Sequence, residues 1–168
     1  MKKRSQTRAF SLVELVIVVV IIGVIAAIAV PRISRGAKGA GDAAVRGSLA
    51  GIRNAIDMYA AEHGGTFAAS AVGDTETKLI DQLTKKTDGA GVVGTTAGTH
   101  IYGPYLRGAF PALPVCTNKG ATSVSLVVGV PVGGQTADGW VYSTDLGSFI
   151  ANCADTDKDE GGTQYNLY

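Results

Sequence analysis

Histidine, cysteine and tryptophan are scarce in this chain: two, two and one among 168 residues. His63 and His100 stand far from each other and from both cysteines in sequence, so nothing has the ligand spacing of a zinc site and both histidines read as structural. No Ser/His/Asp arrangement sits in a motif context, no G-x-x-x-x-G-K-S/T run is available to cradle a phosphate, and no pair of carboxylates is set in a recognisable cleft. Gly89-Ala90-Gly91 lacks the strand-before, helix-after setting of a nucleotide loop. The chain therefore reads as a non-enzyme. Charge of one sign is lacking as well: the formal net charge is +1. With no basic patch carrying interleaved aromatics, nucleic-acid binding has no support.

Charge is absent altogether from Leu15 to Val30, sixteen residues rich in Val, Ile and Ala. Counted from Phe10, the run reaches twenty-one residues before Pro31, with Glu14 its only charge. At ~1.5 Å per residue that is roughly 30 Å of helix, the hydrocarbon thickness of a bilayer, so the chain is membrane-associated at some stage. An ionised carboxylate in such a run costs about 2.5–3.5 kcal/mol on insertion scales, which marks Glu14 as a candidate functional residue. Its alternative is to snorkel to the headgroups from the first turns of the helix.

Residues 1–9 carry Lys2, Lys3, Arg4 and Arg8 and no acid, which holds the N-terminus on the cytoplasmic side. A secretory signal peptide would place a small-residue cleavage site after the apolar core, before a soluble polar domain. Ala26-Ala27-Ile28-Ala29 is small enough, but Pro31 and a helical pattern follow directly. An uncleaved signal anchor remains open; it leaves Glu14 unexplained.

The basic leader, the small Ala9, Phe10-Ser11-Leu12-Val13-Glu14-Leu15 and a Val/Ile run ending at Pro31 together resemble the class III signal of type IV pilins and type II secretion pseudopilins. The resemblance covers about a fifth of the chain, and it departs from the family pattern at Ala9, where glycine is usual. It implies that a prepilin peptidase cuts between Ala9 and Phe10 and methylates the new N-terminus of Phe10. Glu14 and Pro31 then fall at the family's fifth and twenty-second mature positions. The implied partner of Glu14 is the N-terminal amine of a neighbouring subunit in a filament.

With the leader removed, eleven basic residues face fourteen acidic ones, a formal charge near −3. The 159 residues from Phe10 onward suffice for one modest globular domain. From Arg32 to His63 an amphipathic helix continues, its stripe Val45, Leu49, Ile52, Ile56 and Tyr59 spaced by four and three. Asp42, Arg46, Arg53, Asp57 and Glu62 fall largely off that stripe. Gly36, Gly39, Gly41, Gly47 and Gly51 each cost about 1 kcal/mol relative to alanine and allow close helix approach. Pro31 predicts a kink and Gly64-Gly65 a stop, for a helix of about 80 Å in all.

Beyond it, Thr77–Leu83 has helical apolar spacing at Leu79, Ile80 and Leu83. Ser123–Val128, Trp140–Tyr142 and Ser148–Ala151 read as strands, the last two flanking a five-residue loop with Gly147. The expected fold is α+β, with a long kinked helix on a small antiparallel sheet and a loop-rich C-terminal region. It divides into a leader (1–9), a transmembrane or filament-core segment (10–30), the amphipathic half (31–65) and an extracytoplasmic domain (66–168). That is also the pilin fold the resemblance implies. A looser similarity to the major pseudopilin branch runs through Met58–Gly65, Asp81–Thr84 and Tyr102–Leu106.

Cys116 and Cys153 both lie beyond the membrane segment, where a disulfide would persist; two isolated thiols are the alternative. The tail Asp155-Thr156-Asp157-Lys158-Asp159-Glu160-Gly161-Gly162 alternates aspartates in a glycine-ended loop, a pattern of hard oxygens suited to Ca²⁺. It is not an EF-hand, because its glycine comes one residue late and its twelfth position is Asn166. The pseudopilins it resembles bind calcium in a C-terminal loop; a solvated acidic turn is the alternative.

The expectation is thus a pseudopilus subunit in the bacterial inner membrane, single-pass, with its C-terminal domain in the periplasm. Membrane lipid would surround it before assembly. Its implied partners are copies of itself in a filament, prepilin peptidase, an inner-membrane assembly platform and minor pseudopilins. A type IV pilin, or a membrane-anchored periplasmic binding module that never polymerises, are the competing expectations.

Overall fold

The computed structural model describes residues 10–168, so the leader and Ala9 lie outside the described residues. The chain divides into two compact units, the first ending at Ala37 and the second running Lys38–Tyr168.

In the first unit the chain enters α1 (Leu12–Glu62), whose early part is the apolar run. An eighteen-residue window there has a mean hydropathy of 3.2 and no buried residue. By length and composition α1 can cross a membrane. Pro31 lies inside it and the helical assignment continues across.

The second unit is built on the C-terminal half of α1. Val45, Leu49, Ile52, Ala55, Ile56 and Tyr59 are buried there, the stripe legible in the sequence with Ala55 added. The helix ends where its glycines allow a left-handed turn: Gly64 has φ 65° and Gly65 φ 86°. The Gly65 N–H donates to Ala60 O at 2.7 Å, a Schellman closure that satisfies a carbonyl the helix leaves free. α2 (Glu76–Thr84) is capped by the Thr75 hydroxyl, which accepts from the Lys78 N–H, and buries Leu79, Gln82 and Leu83. Gln82 earns its burial by bonding at both ends, accepting from the Ala69 N–H and donating to Gly91 O, each at 2.8 Å.

Three short strands follow, β1 (Val124–Val127), β2 (Trp140–Ser143) and β3 (Phe149–Ala151), in the order β1-β2-β3. β2 and β3 pair antiparallel, Trp140 opposite Ala151, across the Ser143–Gly147 turn. β1 and β2 instead pair parallel, Val124 opposite Trp140, which corrects the expectation of an all-antiparallel sheet. The reason lies in the connection from Val128 to Gly139: it is long enough to return the chain to the starting end of β1, as a parallel pair requires. Apolar content gives a strand's existence but not its direction. Every residue of β2 is buried, as befits a central strand, and Trp140, Tyr142 and Phe149 form the middle of the core with Leu79, Leu83 and Leu113.

Tyr59, His63, Tyr102 and Tyr105 meet in one aromatic cluster. His63 stacks on Tyr59 with ring centroids 3.9 Å apart, while Tyr105 meets Tyr59 edge-on and Tyr102 tilts against His63. The Tyr105 and Leu106 N–H groups both donate to Leu83 O, and the Tyr105 hydroxyl donates to Glu62 at 2.6 Å.

Candidate functional site

Two regions carry the candidate residues, and the first is the start of α1. Ser11 precedes the helix, and its backbone N–H donates to Glu14 Oε2 at 2.9 Å. Its hydroxyl accepts from the Val13 N–H at 3.3 Å. The Glu14 arm is that of a capping box, written in the sequence as Ser11-Leu12-Val13-Glu14 and overlooked when Glu14 is weighed only as a charge in an apolar run. A carboxylate offers about four lone-pair positions, so one neutral donor leaves most of its capacity unused. Its position in the first turn also complements the positive end of the helix dipole. Phe10, just before, is 85% exposed.

The second region is the acidic tail, where the three aspartates part company. Asp159 is buried, and its Oδ2 accepts from the Arg46 guanidinium at 2.8 Å and the Tyr168 hydroxyl at 2.6 Å. Its Oδ1 accepts from the Thr163 N–H at 2.7 Å. Asp155 accepts from the Asn166 amide at 2.8 Å. Asp157 Oδ2 and Asn166 Oδ1 are buried atoms with no hydrogen-bond partner. Asp159 is thus drawn to α1, while Asp155, Asp157 and Asn166 keep to the loop.

What draws it is a polar ladder along α1. Lys38 Nζ reaches Asp159 O at 3.5 Å; the Asp42 carboxylate accepts from the Glu160 N–H at 3.0 Å and from the Tyr165 hydroxyl. Arg46 lies over the Tyr168 ring, 4.6 Å from its centroid, as it pairs with Asp159. Arg53 donates to Phe149 O and to Tyr168 O. Lys38, Asp42 and Arg46 recur every four residues, so they stack on one helical face. In the sequence they look like a solvated flank of the stripe; their regular spacing is the signal that they hold something.

Residues 4–30 match the family model of the prokaryotic N-terminal methylation motif. The N-terminus carries a class III methylation signal. The match spans most of the leader, Ala9, Phe10 and Glu14, and stops one residue before Pro31. No curated protein and no solved structure matches the chain. Beyond the signal, the chain is therefore read from its own residues.

Cys116 and Cys153 form a disulfide, with Cα atoms 5.7 Å apart and no cysteine left free. Among the described residues, the one grouping of three metal-type donors joins these sulfurs to Asp157. Both sulfurs are spent in the bond, so that grouping is no thiolate site.

The ladder makes the tail sensitive to acid. The Tyr168 hydroxyl, then the Thr163 N–H and Arg46, hold the Asp159 carboxyl below its ordinary value. A carboxylate whose folded value is depressed stabilises the fold at pH above its unfolded value of about 4, and that contribution is lost as the pH falls through the folded value. We expect the Thr163 amide resonance to titrate with a midpoint below about 4, and Arg46→Ala to move that midpoint upward. A midpoint unchanged by the substitution would detach Arg46 from the ladder.

Proposed function

We propose that this chain is a structural subunit of a type II secretion pseudopilus, processed by prepilin peptidase and polymerised through α1 to drive protein export. The observation that carries the reading is the methylation motif lying on an apolar helix whose side chains find no partner within their own unit. Such a surface is stable in lipid, or against copies of itself, and nowhere in water. The peptidase cuts between Ala9 and Phe10, and Phe10 carries the N-methyl group. In the filament Glu14 meets the Phe10 amine of a neighbouring copy. Burial of the pair in low dielectric makes an unpaired carboxylate costly, so the same contact registers one subunit against the next. Before assembly the chain spans the inner membrane once, with its C-terminal domain in the periplasm. The assembly platform and minor pseudopilins then take it up. The loose similarity of Met58–Gly65, Asp81–Thr84 and Tyr102–Leu106 to major pseudopilins is what favours that branch over a type IV pilin.

The test is intact mass and N-terminal analysis of the chain from membranes of a bacterium that has prepilin peptidase. A start at N-methylated Phe10 is the expected result. An intact Met1 would favour an anchored module, and cleavage after Ala27 or Ala29 would make the chain a secreted soluble domain. Loss of secretion, with no loss of surface fibres, on deleting the chain separates pseudopilus from pilus.

We propose further that the C-terminal loop takes Ca²⁺, for which Asp155, Asp157 and Asn166 supply the oxygens. The two buried oxygens without partners, Asp157 Oδ2 and Asn166 Oδ1, fit that demand, and hard oxygen donors suit the ion. Asp159, expected as a third aspartate ligand, is already engaged by Arg46, Tyr168 and Thr163. The ion would neutralise the carboxylates and lock the loop. Millimolar Ca²⁺ should raise the melting temperature of the wild type and leave Asp157→Asn unchanged; a flat response in the wild type would remove the ion from the account.

A further inference from the structure

Two cations sit where the apolar run of α1 ends. Arg32 and Arg35 are exposed, as are Val30 and Ile33 beside them, and neither arginine enters an ion pair among the described residues. Residues three apart on a helix lie about 60° from each other around its axis, so both arginines present to one side. Measured from Val30 along the helix, they stand about 3 and 7.5 Å beyond the hydrocarbon at 1.5 Å per residue. The polar layer of one leaflet is about 5–8 Å deep, the difference between a 30 Å core and a 40–45 Å bilayer shared between two faces. With Val30 at the edge of the hydrocarbon, the backbone positions of both arginines fall at the depth of that polar layer, within reach of the phosphates. The next cation, Lys38, lies beyond that depth and is used inside the folded unit, on Asp159 O.

The placement needs a reason, because cations on the exported flank of a membrane segment work against its orientation. In the whole chain the four leader cations outnumber them. Removal of the leader would leave only the Phe10 amine on that side, and the bias would then favour the exit end. We propose that Arg32 and Arg35 form a binding site for anionic phospholipid headgroups in the leaflet at the exit end of α1. The guanidinium fork matches phosphate in a bidentate manner, which a lone ammonium cannot do. Headgroup contacts there fix the exit end of α1 at its leaflet once the leader charges are gone, and leaving the membrane requires giving them up. The site rests on α1 spanning a bilayer but not on polymerisation, so an unprocessed or non-assembling chain would keep it.

The test is native mass spectrometry of the full chain in mild detergent, titrated with phosphatidylglycerol or phosphatidylcholine of matched acyl chains. The wild type, R32Q/R35Q, R32K/R35K and a leader variant K2Q/K3Q/R4Q/R8Q are compared. We expect R32Q/R35Q to lose roughly tenfold or more of the preference for phosphatidylglycerol, at about fivefold per cation near a charged surface. The lysine variant should recover part of it, and the leader variant should keep the share due to the two arginines. A wild-type preference in R32Q/R35Q, or one abolished by the leader variant alone, would overturn the site. So would a variant that changes only self-association, which would assign the arginines to acidic groups on a neighbouring copy.

Discussion

On the proposed assembly through α1, replacing Glu14 with glutamine is expected to leave the chain cleaved, inserted and folded, yet unable to form filaments. Two roles meet on this side chain, and the substitution separates them. As a cap, Glu14 accepts the Ser11 N–H at 2.9 Å; the glutamine amide oxygen keeps that acceptor and gives up only the charge's interaction with the helix N-terminus, about 0.3–1 kcal/mol. As a charge, it can pair with the amine of a neighbouring Phe10, which glutamine cannot. Removing the charge should also ease insertion, by up to about 2.5–3.5 kcal/mol for a carboxylate well inside the bilayer. The variant therefore accumulates in the membrane while assembled material, read by shearing and cross-linking, disappears. Glu14→Ala loses both roles and should differ from Glu14→Gln only by a frayed first turn of α1. Wild-type filaments from Glu14→Gln, with defects in Glu14→Ala alone, would reduce Glu14 to a helix cap and leave the inter-subunit ion pair without a basis.

The sequence made α1 and its buried stripe legible because both depend on residue order alone: an apolar run, with Glu14 its only charge, long enough to span lipid, then apolar positions at helical spacing. α2 and the three strands were legible within a residue or two for the same reason. The parallel pairing of β1 with β2 was not, since direction depends on the path of the Val128–Gly139 connection rather than on the strands it joins. The fate of the aspartates was hidden for a different reason. Asp155, Asp157 and Asp159 look equivalent in a local pattern, but Asp159 is decided by Arg46, more than a hundred residues earlier in the chain. Polar ladders have no hydrophobic period to betray them, and here only the four-residue spacing of Lys38, Asp42 and Arg46 hints at one. The Ser11–Glu14 cap was legible in principle, because its two residues are three apart and touch nothing distant; an apolar context simply drew attention to the charge instead of the acceptor.

Removing the disulfide is the other large effect, and it should act mainly on the unfolded chain. Cys116 and Cys153 are 37 residues apart, and closing a loop of that size contributes about 3–4 kcal/mol on the chain-entropy model. At roughly 3–5 °C per kcal/mol for a domain of this size, Cys116→Ala/Cys153→Ala should lower the melting temperature by about 10–20 °C. The folded geometry should nonetheless survive, because a second tie runs alongside the first. The Asn118 amide donates to Asp138 O at 2.9 Å and to Asn152 O at 3.2 Å, and the Asn152 amide donates to the same Asp138 O at 2.8 Å. These bonds hold the segments flanking both cysteines without any help from sulfur. The double variant should therefore keep native-like amide resonances below its lowered transition, and its tail should stay docked on Asp42 and Arg46. Asp42→Ala should do the reverse, freeing the Glu160 N–H and the Tyr165 hydroxyl and loosening the tail while the rest of the sheet remains ordered. If the cysteine variant instead loses the tail resonances first, the bond is holding the native tail in place, and the entropic account of it fails.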